Sequence, residues 1–424
     1  MKIAELKKRI EEGALECARD LYRDLDAAKE RFLAAIRSFT DLFGEDREAM
    51  LLSVPGRSEI LGNHTDHNGG KVLAGAIDRD IIAVVSPTED GRIRLKSEGY
   101  TIDCVELDDT HDPKNFKSFT SAALIGGVVD GIRRAGYSVG GFDAYTTSDV
   151  LKGSGISSSA AYEVMIGNIL NHLYNGGKID NVEIAKIAMY SENVFFGKPS
   201  GLMDQMACAV GGFVFIDFAD KSSPVIEPLS FSLGDAGYEL CIINTGGNHA
   251  DLNDDYASVP AEMRAVAAIL GKEVLSGTEE SELIAKATEI REVAGDRALL
   301  RAIHFVRECE RVSCGASALR EGRLADFFAE VTASGHSSFE YLQNVYTVKN
   351  VAEQGLSVAL ALADGFGKER VGAYRVHGGG FAGTIQVYAR TEAVDSLDAL
   401  MSAVLGEGAL MRLSVRPRGA VRVL

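Results

Sequence analysis

A glycine- and serine-rich segment that runs directly into a helical pattern constrains this chain more than any other stretch. It reads Val150-Leu-Lys-Gly-Ser-Gly-Ile-Ser-Ser-Ser-Ala-Ala-Tyr-Glu-Val164, and its two glycines allow the backbone to turn so that several N–H groups face one way. Apolar residues recur at helical spacing as far as Leu173. Because a helix N-terminus favours anions, phosphate is the expected ligand. An ordinary N-cap with a flexible lead-in is the alternative.

Composition limits the classes of fold and partner. The 424 residues suggest two domains, which we assign to residues 1–225 and 226–424. Apolar residues make up 46% of the chain without forming a run long enough for a membrane span, so we expect a soluble protein. The formal charge of −17 argues against nucleic acid, which is bound mainly through clustered Lys and Arg. A small molecule is the better prediction.

The N-terminus and the cysteines predict a cytoplasmic protein. The first residues mix charged and apolar side chains at helical spacing and lack the apolar core of a signal peptide. The 6 cysteines are scattered without a CxxC pair, which argues against a zinc ribbon or a disulfide framework and favours a reducing compartment. We expect a monomer.

A dense polar cluster lies between Arg57 and Asn68. Charged, amide and imidazole side chains alternate there with glycines, and apolar pairs flank the cluster on both sides. Polar groups in an apolar setting need partners, and a hydroxylated small molecule is one class of partner. His64 and His67 also suggest a metal site, but the further ligands that zinc requires are missing from the loop.

Three other stretches carry information. The β-rich runs 81–85 and 93–95, separated by a Glu-Asp-Gly turn, predict antiparallel strands. Ser200-Gly-Leu-Met-Asp-Gln205 sets Asp204 among apolar neighbours, and the strand predicted next covers 209–216. Residues 378–383 spell G-x-G-x-x-G between two strands near the C-terminus, which excludes a dinucleotide-binding fold. No Gly-Lys pair is followed by Ser or Thr, which excludes a P-loop.

Taken together, these stretches resemble the GHMP small-molecule kinases and, within them, the galactokinase family. The resembling positions are Pro55-Gly-Arg57, Gly62, His64-Thr-Asp66, Asn68, Gly70, Val72-Leu73, Ala76-Ile-Asp78, Gly153-Ser-Gly-Ile-Ser-Ser-Ser-Ala160, Gly201-Leu-Met-Asp-Gln205, Tyr256 and Gly378-Gly-Gly-Phe-Ala-Gly383. The resemblance implies an α/β (α+β) protein with a ribosomal-S5-like N-terminal domain, a ferredoxin-like C-terminal domain and an active site between them. It also implies ATP and Mg²⁺ as cosubstrates and transfer of the γ-phosphoryl group to the anomeric hydroxyl of a sugar.

The same resemblance implies roles for individual residues. Asp204 is similar to the catalytic carboxylate, and Arg57 to the guanidinium that stabilises the transferring phosphoryl group. Glu192 and Ser159, with Ser158 as the alternative, resemble the Mg²⁺ ligands. Taken alone, Asp204 is also compatible with a capping or ion-paired carboxylate, and Arg57 with a surface side chain. Nucleotide contacts are implied for Ser97, Gly153, Ser154, Gly155, Ile156, Ser157, Ser158 and Ser159, and sugar contacts for Asn63, His64, Asp66, Gly201 and Tyr256.

Two positions of the sugar signature depart from the family pattern, which usually has Asn where this chain has Glu59 and Glu where it has Asn63. A carboxylate only accepts hydrogen bonds, whereas an amide accepts and donates, so the exchange alters the preferred sugar substituent. Galactose is our first choice, and N-acetylgalactosamine, arabinose or a uronic acid are the alternatives.

Other activities compatible with the resemblance are a sugar sensor without turnover and a kinase for a non-sugar alcohol. A sensor would be expected to have lost Ser159-Ala160 or Asp204, which are both present. The stretch His64-Thr-Asp66 belongs to the sugar-specific part of the resemblance and argues against a non-sugar alcohol. Whether Asp204 abstracts the hydroxyl proton or only orients the hydroxyl stays open, because a neighbouring Arg would weaken it as a base.

Overall fold

A computed structural model describes residues 1–150, 155–198, 200–220, 223–247 and 252–424. Its strands are β1 Met50–Leu61, β2 Lys71–Thr88, β3 Arg92–Ser97, β4 Ile102–Glu106, β5 Gly141–Ser148, β6 Phe213–Asp217, β7 Val225–Leu229, β8 Tyr238–Asn244, β9 Val371–His377, β10 Thr384–Arg390, β11 Leu410–Leu413 and β12 Val421–Arg422. Its α-helices are α1 Ile3–Glu11, α2 Leu25–Phe43, α3 Ser121–Arg134, α4 Ser158–Tyr174, α5 Asn181–Ser191, α6 Met203–Val210, α7 Asn253–Ile269, α8 Glu280–Ala285, α9 Ala287–Val293, α10 Asp296–Arg320, α11 Leu324–Ser337, α12 Gly355–Gly365 and α13 Val394–Leu405. The mixed α/β class expected from the sequence is confirmed.

The larger sheet has the strand order β12-β1-β2-β5-β3-β4, and β6 and β7 extend it from β2. Both strands predicted around the Glu-Asp-Gly turn form, but they are not neighbours, since β5 lies antiparallel to β2 and parallel to β3. The first six residues of β5 are all buried, which suits a strand with partners on both edges. The two predicted strands therefore run antiparallel, as expected, with β5 between them.

Side-chain alternation along these strands supplies two apolar faces. Ile82 and Val84 pack in a cluster with α1 and α2, whereas Ala83 and Val85 face the cluster formed with α3, α4, α5 and α6. Successive residues of a strand point to opposite faces, so one strand serves both layers. The sheet is thus covered on each side by helices, and α4 leads away from the glycine- and serine-rich segment along one of these faces.

The smaller sheet has the order β11-β8-β10-β9 with antiparallel neighbours. Cys241 and Ile243 face a cluster with α12 and α13, while Leu240 and Ile242 join the same core as the larger sheet. The predicted boundary falls at the start of β7, which pairs with β6. The division into residues 1–225 and 226–424 stays a prediction. In the ranges described above, no helix is both long and apolar enough to cross a membrane.

Candidate active site

Arg57 and Asp204, the two residues predicted to be catalytic, contact each other across 147 positions of sequence. We call them the transfer pair. Arg57, on β1, donates from Nε to Oδ1 of Asp204 at 2.7 Å and from Nη2 to Oδ2 at 3.0 Å, a bidentate arrangement that fixes both side chains. Asp204 stands in the first turn of α6, where the helix dipole favours a carboxylate. The side chain of Asp204 is 32% exposed and therefore accessible to a ligand.

The start of α4 is tied to the transfer pair. Ser157, the N-cap of α4, has a left-handed φ of 61° and makes no capping hydrogen bond. Its hydroxyl instead donates to Oδ2 of Asp204 at 2.5 Å. Arg57 donates from Nη1 to the carbonyl of Gly155 at 2.5 Å and from its backbone N–H to the carbonyl of Ile156 at 3.1 Å. Strained backbone of this kind concentrates at functional sites.

The predicted nucleotide contacts fall into three groups. Residues 155–159 lead into and begin α4. Gly153 and Ser154 lie outside the described residues. Ser97 is the last residue of β3, beside Thr146 of β5, whose hydroxyl donates to its own at 3.0 Å. Since β5 leads toward the glycine- and serine-rich segment, Ser97 lies at the end of the sheet that this segment follows.

The ionisation of Asp204 follows from its partners. Burial raises the pKa of this carboxyl, but the charge of Arg57 and the hydrogen bonds from Arg57 and Ser157 lower it further than burial raises it. The net pKa lies below the ordinary value, so the group is a carboxylate at neutral pH and a weak base. His377 lies beside Gly155, and burial together with Arg57 lowers the pKa of its imidazole to about 3. The neutral imidazole adds no charge to the pair.

A second cluster contains both predicted metal ligands. Glu192 begins a π-helical turn that continues α5, and its side chain is only 3% exposed. Its Oε1 accepts hydrogen bonds from Ser159 Oγ at 3.4 Å and Lys198 Nζ at 2.8 Å, and its Oε2 accepts one from Gln205 Nε2 at 2.8 Å. A carboxylate and a hydroxyl side by side match the oxygen ligands of Mg²⁺. The described residues include no group of three His, Cys, Asp or Glu suited to hold a metal unaided.

Glu163 lies behind this cluster on α4. The side chain is buried, and its Oε2 accepts a hydrogen bond from the same Gln205 Nε2 at 3.1 Å. Burial and the nearby charge of Glu192 raise the pKa of Glu163 well above the ordinary value. Burial thus favours the uncharged form of the Glu163 side chain.

Most of the predicted sugar contacts converge on one turn of the C-terminal half, Gly378–Gly380, which we call the glycine turn. His64 donates from Nε2 to the carbonyl of Gly379 at 3.0 Å, and Tyr256 donates its hydroxyl to the carbonyl of Gly380 at 2.8 Å. Asp66 lies against Gly201 instead, since a Cβ added at Gly201 would be 2.8 Å from its Oδ2. Gly201 is three residues from Asp204, so this pair borders the transfer pair.

Asn63 is occupied by protein partners. Its Nδ2 donates to Glu59 Oε1 at 3.0 Å and to the carbonyl of Gly378 at 2.7 Å. Its Oδ1 accepts from Asn344 Nδ2 at 2.7 Å and Ser338 Oγ at 3.3 Å. All four hydrogen-bonding positions of the amide are thus used, and the residue is fully buried. Contact between Asn63 and a sugar stays a prediction.

Two residues that sequence reasoning missed hold the loop Gly62–Asn68, which we call the sugar-signature loop. Glu308 accepts the backbone N–H of Gly62 at 3.0 Å and pairs with Arg311 at 2.7 Å. Burial raises the pKa of Glu308, but Arg311 and further cationic neighbours outweigh it and lower the pKa to about 2. His304 donates from Nε2 to the carbonyl of Asn63 at 2.9 Å. The two lie at i and i+4 on the buried side of α10, a spacing that is visible in the sequence.

Arg375 is a third residue that the sequence analysis did not single out. It lies on β9, is fully buried, and donates from Nη2 to Glu59 Oε1 at 2.8 Å and from Nη1 to the carbonyl of Ile60 at 2.9 Å. The signal was an arginine inside the apolar strand pattern 371–376, because a buried charge requires a partner. The pair links the smaller sheet to the strand that carries Arg57.

Two solved structures share this fold. A galactokinase of Lactococcus lactis complexed with galactose superposes with a TM-score of 0.77 at 22% identity, covering 92% of this chain and 100% of the other. A mevalonate kinase of Methanococcus jannaschii superposes with a TM-score of 0.60 at 15% identity, covering 87% and 98%. The family described as GHMP kinases N terminal domain matches residues 123–212, which include α4 and Asp204. The fold is therefore that of the GHMP kinase class.

Sequence similarity identifies the family within the GHMP kinase class. The galactokinase galactose-binding signature matches residues 37–87. A galactokinase of Streptomyces coelicolor is 33% identical over 363 residues, covering 85% of this chain and 89% of that protein. A galactokinase of Limosilactobacillus reuteri is 30% identical over 376 residues, covering 86% and 91%. The chain belongs to the galactokinase family.

Proposed function

We propose that the protein transfers the γ-phosphoryl group of ATP to the anomeric hydroxyl of a sugar, with galactose as the first candidate. The products are a sugar 1-phosphate and ADP. The observation that carries the proposal is the carboxylate of Asp204, held by Arg57 and Ser157 beside the N-terminus of α4. Membership of the galactokinase family supports the substrate.

The polyphosphate of ATP belongs at the start of α4. Free backbone N–H groups and the positive end of the helix dipole lie there, and both favour phosphate. The hydroxyls of Ser158 and Ser159 lie in the first turn. Three N–H groups of Arg57 bond to Asp204 and Gly155, and a guanidinium has five, so further donors serve the transferring group.

Ser159 and Glu192 would hold Mg²⁺. The fit rests on the shared geometry of the two side chains, whose oxygens lie 3.4 Å apart. When bound, the ion neutralises part of the phosphate charge and stabilises the leaving group.

Asp204 orients the attacking hydroxyl. Its lowered pKa makes it a poor acceptor before bond formation. Phosphoryl transfer passes through a loose transition state, so the hydroxyl proton becomes acidic late and a weak base suffices. We assign Asp204 to holding the hydroxyl in line and receiving its proton at that late stage. Arg57 keeps the carboxylate in place and faces the charge that develops on the phosphoryl group.

We place the sugar between the sugar-signature loop and the transfer pair. Asp66 offers a carboxylate directly against the backbone of Gly201, and a carboxylate accepts hydrogen bonds from sugar hydroxyls. His64 and Tyr256 border the glycine turn and complete the proposed contacts. Asn63 acts through the loop that it anchors. That the protein is a monomer and works in the cytoplasm stays a prediction.

A substrate panel tests the proposal. The purified protein is assayed for ATP consumption with Mg²⁺ and galactose, N-acetylgalactosamine, arabinose or a uronic acid, and phosphorus NMR locates the phosphate on the product. We expect the highest turnover with galactose and a phosphate on the anomeric oxygen. Sugar binding without ATP consumption would instead identify a sensor, and a phosphate at another oxygen would contradict the assigned regiochemistry.

A further inference from the structure

Lys198 contacts Glu192, one of the two predicted Mg²⁺ ligands, and has no role in the proposed reaction. Its Nζ lies 2.8 Å from Oε1 of Glu192, the oxygen that also accepts the hydroxyl of Ser159. The exposed fractions of the two partners differ sharply, at 53% for the lysine side chain and 3% for the glutamate side chain. A solvent-facing ammonium is thus bonded to a buried oxygen proposed to bind a divalent cation.

The pairing has an electrostatic reason. A buried carboxylate is costly unless an opposite charge compensates it, and the other partners of Glu192 are the neutral groups Ser159 and Gln205. Lys198 forms the ion pair with Glu192 in the described part of the chain. Asp204 also contributes attraction to Lys198, so the ammonium lies in the field of both carboxylates. It therefore holds the cluster together when no metal is present.

We propose that Lys198 is a tethered cation that occupies the divalent-metal position at Glu192 and is displaced when metal and nucleotide bind. The inference rests on the proposed function. Oε1 of Glu192 already has two partners, which is the ordinary capacity of a carboxylate oxygen. The hydroxyl of Ser159 has lone pairs and can turn from donor to ligand when a cation binds both residues, whereas an ammonium has none, so a cation that binds this oxygen displaces the ammonium. Lys198 follows Gly197, whose φ of 86° ends the π-helical turn, and its exposed side chain can leave at small cost.

If metal displaces Lys198, the charge of this lysine should change how much Mg²⁺ raises the affinity for nucleotide. Without metal, Lys198 compensates Glu192 and favours the approach of a nucleotide phosphate. With metal, the ammonium has to be displaced and repels the incoming ion. Removing the charge therefore weakens metal-free nucleotide binding more than metal-loaded binding. The ratio of the two affinities, rather than either alone, reports the exchange.

Calorimetric titration of ADP in EDTA and in saturating Mg²⁺ tests the proposal on Lys198→Met. We expect the enhancement of ADP affinity by Mg²⁺ to be about fivefold larger than in the wild type, the size typical of one partly exposed charge contact. Lys198→Arg keeps the charge, and Lys186→Met removes an exposed lysine of α5. Both should match the wild type. If Lys198→Met lowers the thermal midpoint, Lys198→Gln provides the second neutral variant.

An unchanged or smaller enhancement in the neutral variants would overturn the proposal and leave the pair a structural contact. Failure of the wild-type protein to bind ADP in Mg²⁺ would count against the proposed function instead. The two failures are therefore distinguishable. The measurement needs no turnover, so it separates binding of the metal from catalysis.

Discussion

Around the transfer pair, the polar contacts come from β1, α6 and the start of α4, which all belong to the larger sheet and its covering helices. The sugar-signature loop is held instead by α10, Asn344 and the glycine turn, which lie between 241 and 315 residues further along the chain. The transfer pair is thus held by the larger sheet and its helices, whereas the sugar-signature loop is held by groups from both halves of the chain. Changes in the C-terminal half should alter sugar recognition before they alter phosphoryl transfer.

Asp204 in the transfer pair and Glu308 behind the sugar-signature loop are both paired carboxylates, but they differ in exposure. Asp204 and Glu308 both have a lowered pKa beside an arginine. The side chain of Asp204 is 32% exposed and that of Glu308 is fully buried. A ligand can reach the first carboxylate, while the second serves only protein partners. The comparison therefore predicts a catalytic defect from one substitution and a folding defect from the other.

The largest expected effect comes from Asp204→Asn. The amide keeps the shape of the side chain and loses the charge that accepts the hydroxyl proton, so kcat should fall by about 10³-fold or more. Calorimetry should show ADP and galactose binding within a few-fold of the wild type. A kcat within tenfold of the wild type would remove Asp204 from its assigned role.

Glu308→Gln tests the other side of the comparison. The substitution leaves Arg311 without its buried partner, and we expect a loss of about 3 kcal/mol in the free energy of unfolding. Glu310→Gln, on the exposed side of the same helix, is the matched control and should change little. Urea unfolding measures both. Equal stability of the two variants would contradict the anchoring role.

The difference between wild type and Glu308→Gln should also depend on pH. The folded pKa of Glu308 is lowered to about 2 from an ordinary value of 4.5. Its stabilising contribution is therefore complete above pH 4.5 and is lost as the pH falls toward 2. The gap between the two unfolding free energies should shrink over that interval.

Asn63→Glu tests the packing of the sugar-signature loop, because it introduces a carboxylate next to the carboxylate of Glu59. Glu59 lies 3.0 Å from Asn63, so the single variant places two like charges together and should lose about 2 kcal/mol of stability. Glu59→Asn combined with Asn63→Glu keeps one carboxylate and should recover most of this loss. We also expect the double variant to prefer galactose more strongly. An unchanged ranking of sugars would exclude the Glu59–Asn63 pair from specificity.

The smallest expected effect comes from Ser157→Gly. Glycine accepts the left-handed backbone at this N-cap, so the variant isolates loss of the hydroxyl that donates to Asp204. We expect kcat to fall about tenfold. The acid limb of kcat should move to higher pH, because removing a donor raises the pKa of the carboxylate that must stay ionised. Ser157→Ala should show the same kinetic loss with lower stability, and a kcat profile identical to the wild type would contradict this role.

Much of the fold could be predicted from periodicity and turn residues. The helical N-terminal region, the strands around the Glu-Asp-Gly turn and the strand-loop-strand near the C-terminus all form. The placement of β5 between β2 and β3 could not be predicted, because strand order depends on long-range pairing. Helix α6 was missed as well. Its eight residues are too few for helical periodicity to be distinguished from the buried strand that follows.

The sequence by itself determined the family of this protein and indicated the residue types that we propose for phosphoryl transfer, because glycine turns, hydroxyls at a helix start and isolated charges form local patterns that can be seen without coordinates. Only the tertiary structure decided that Asn63 is saturated by protein groups, that Glu308 and His304 support the sugar-signature loop, and that Lys198 bonds to Glu192. A hydrogen bond or an ion pair depends on positions in space, and most of these partners are brought together from distant parts of the chain.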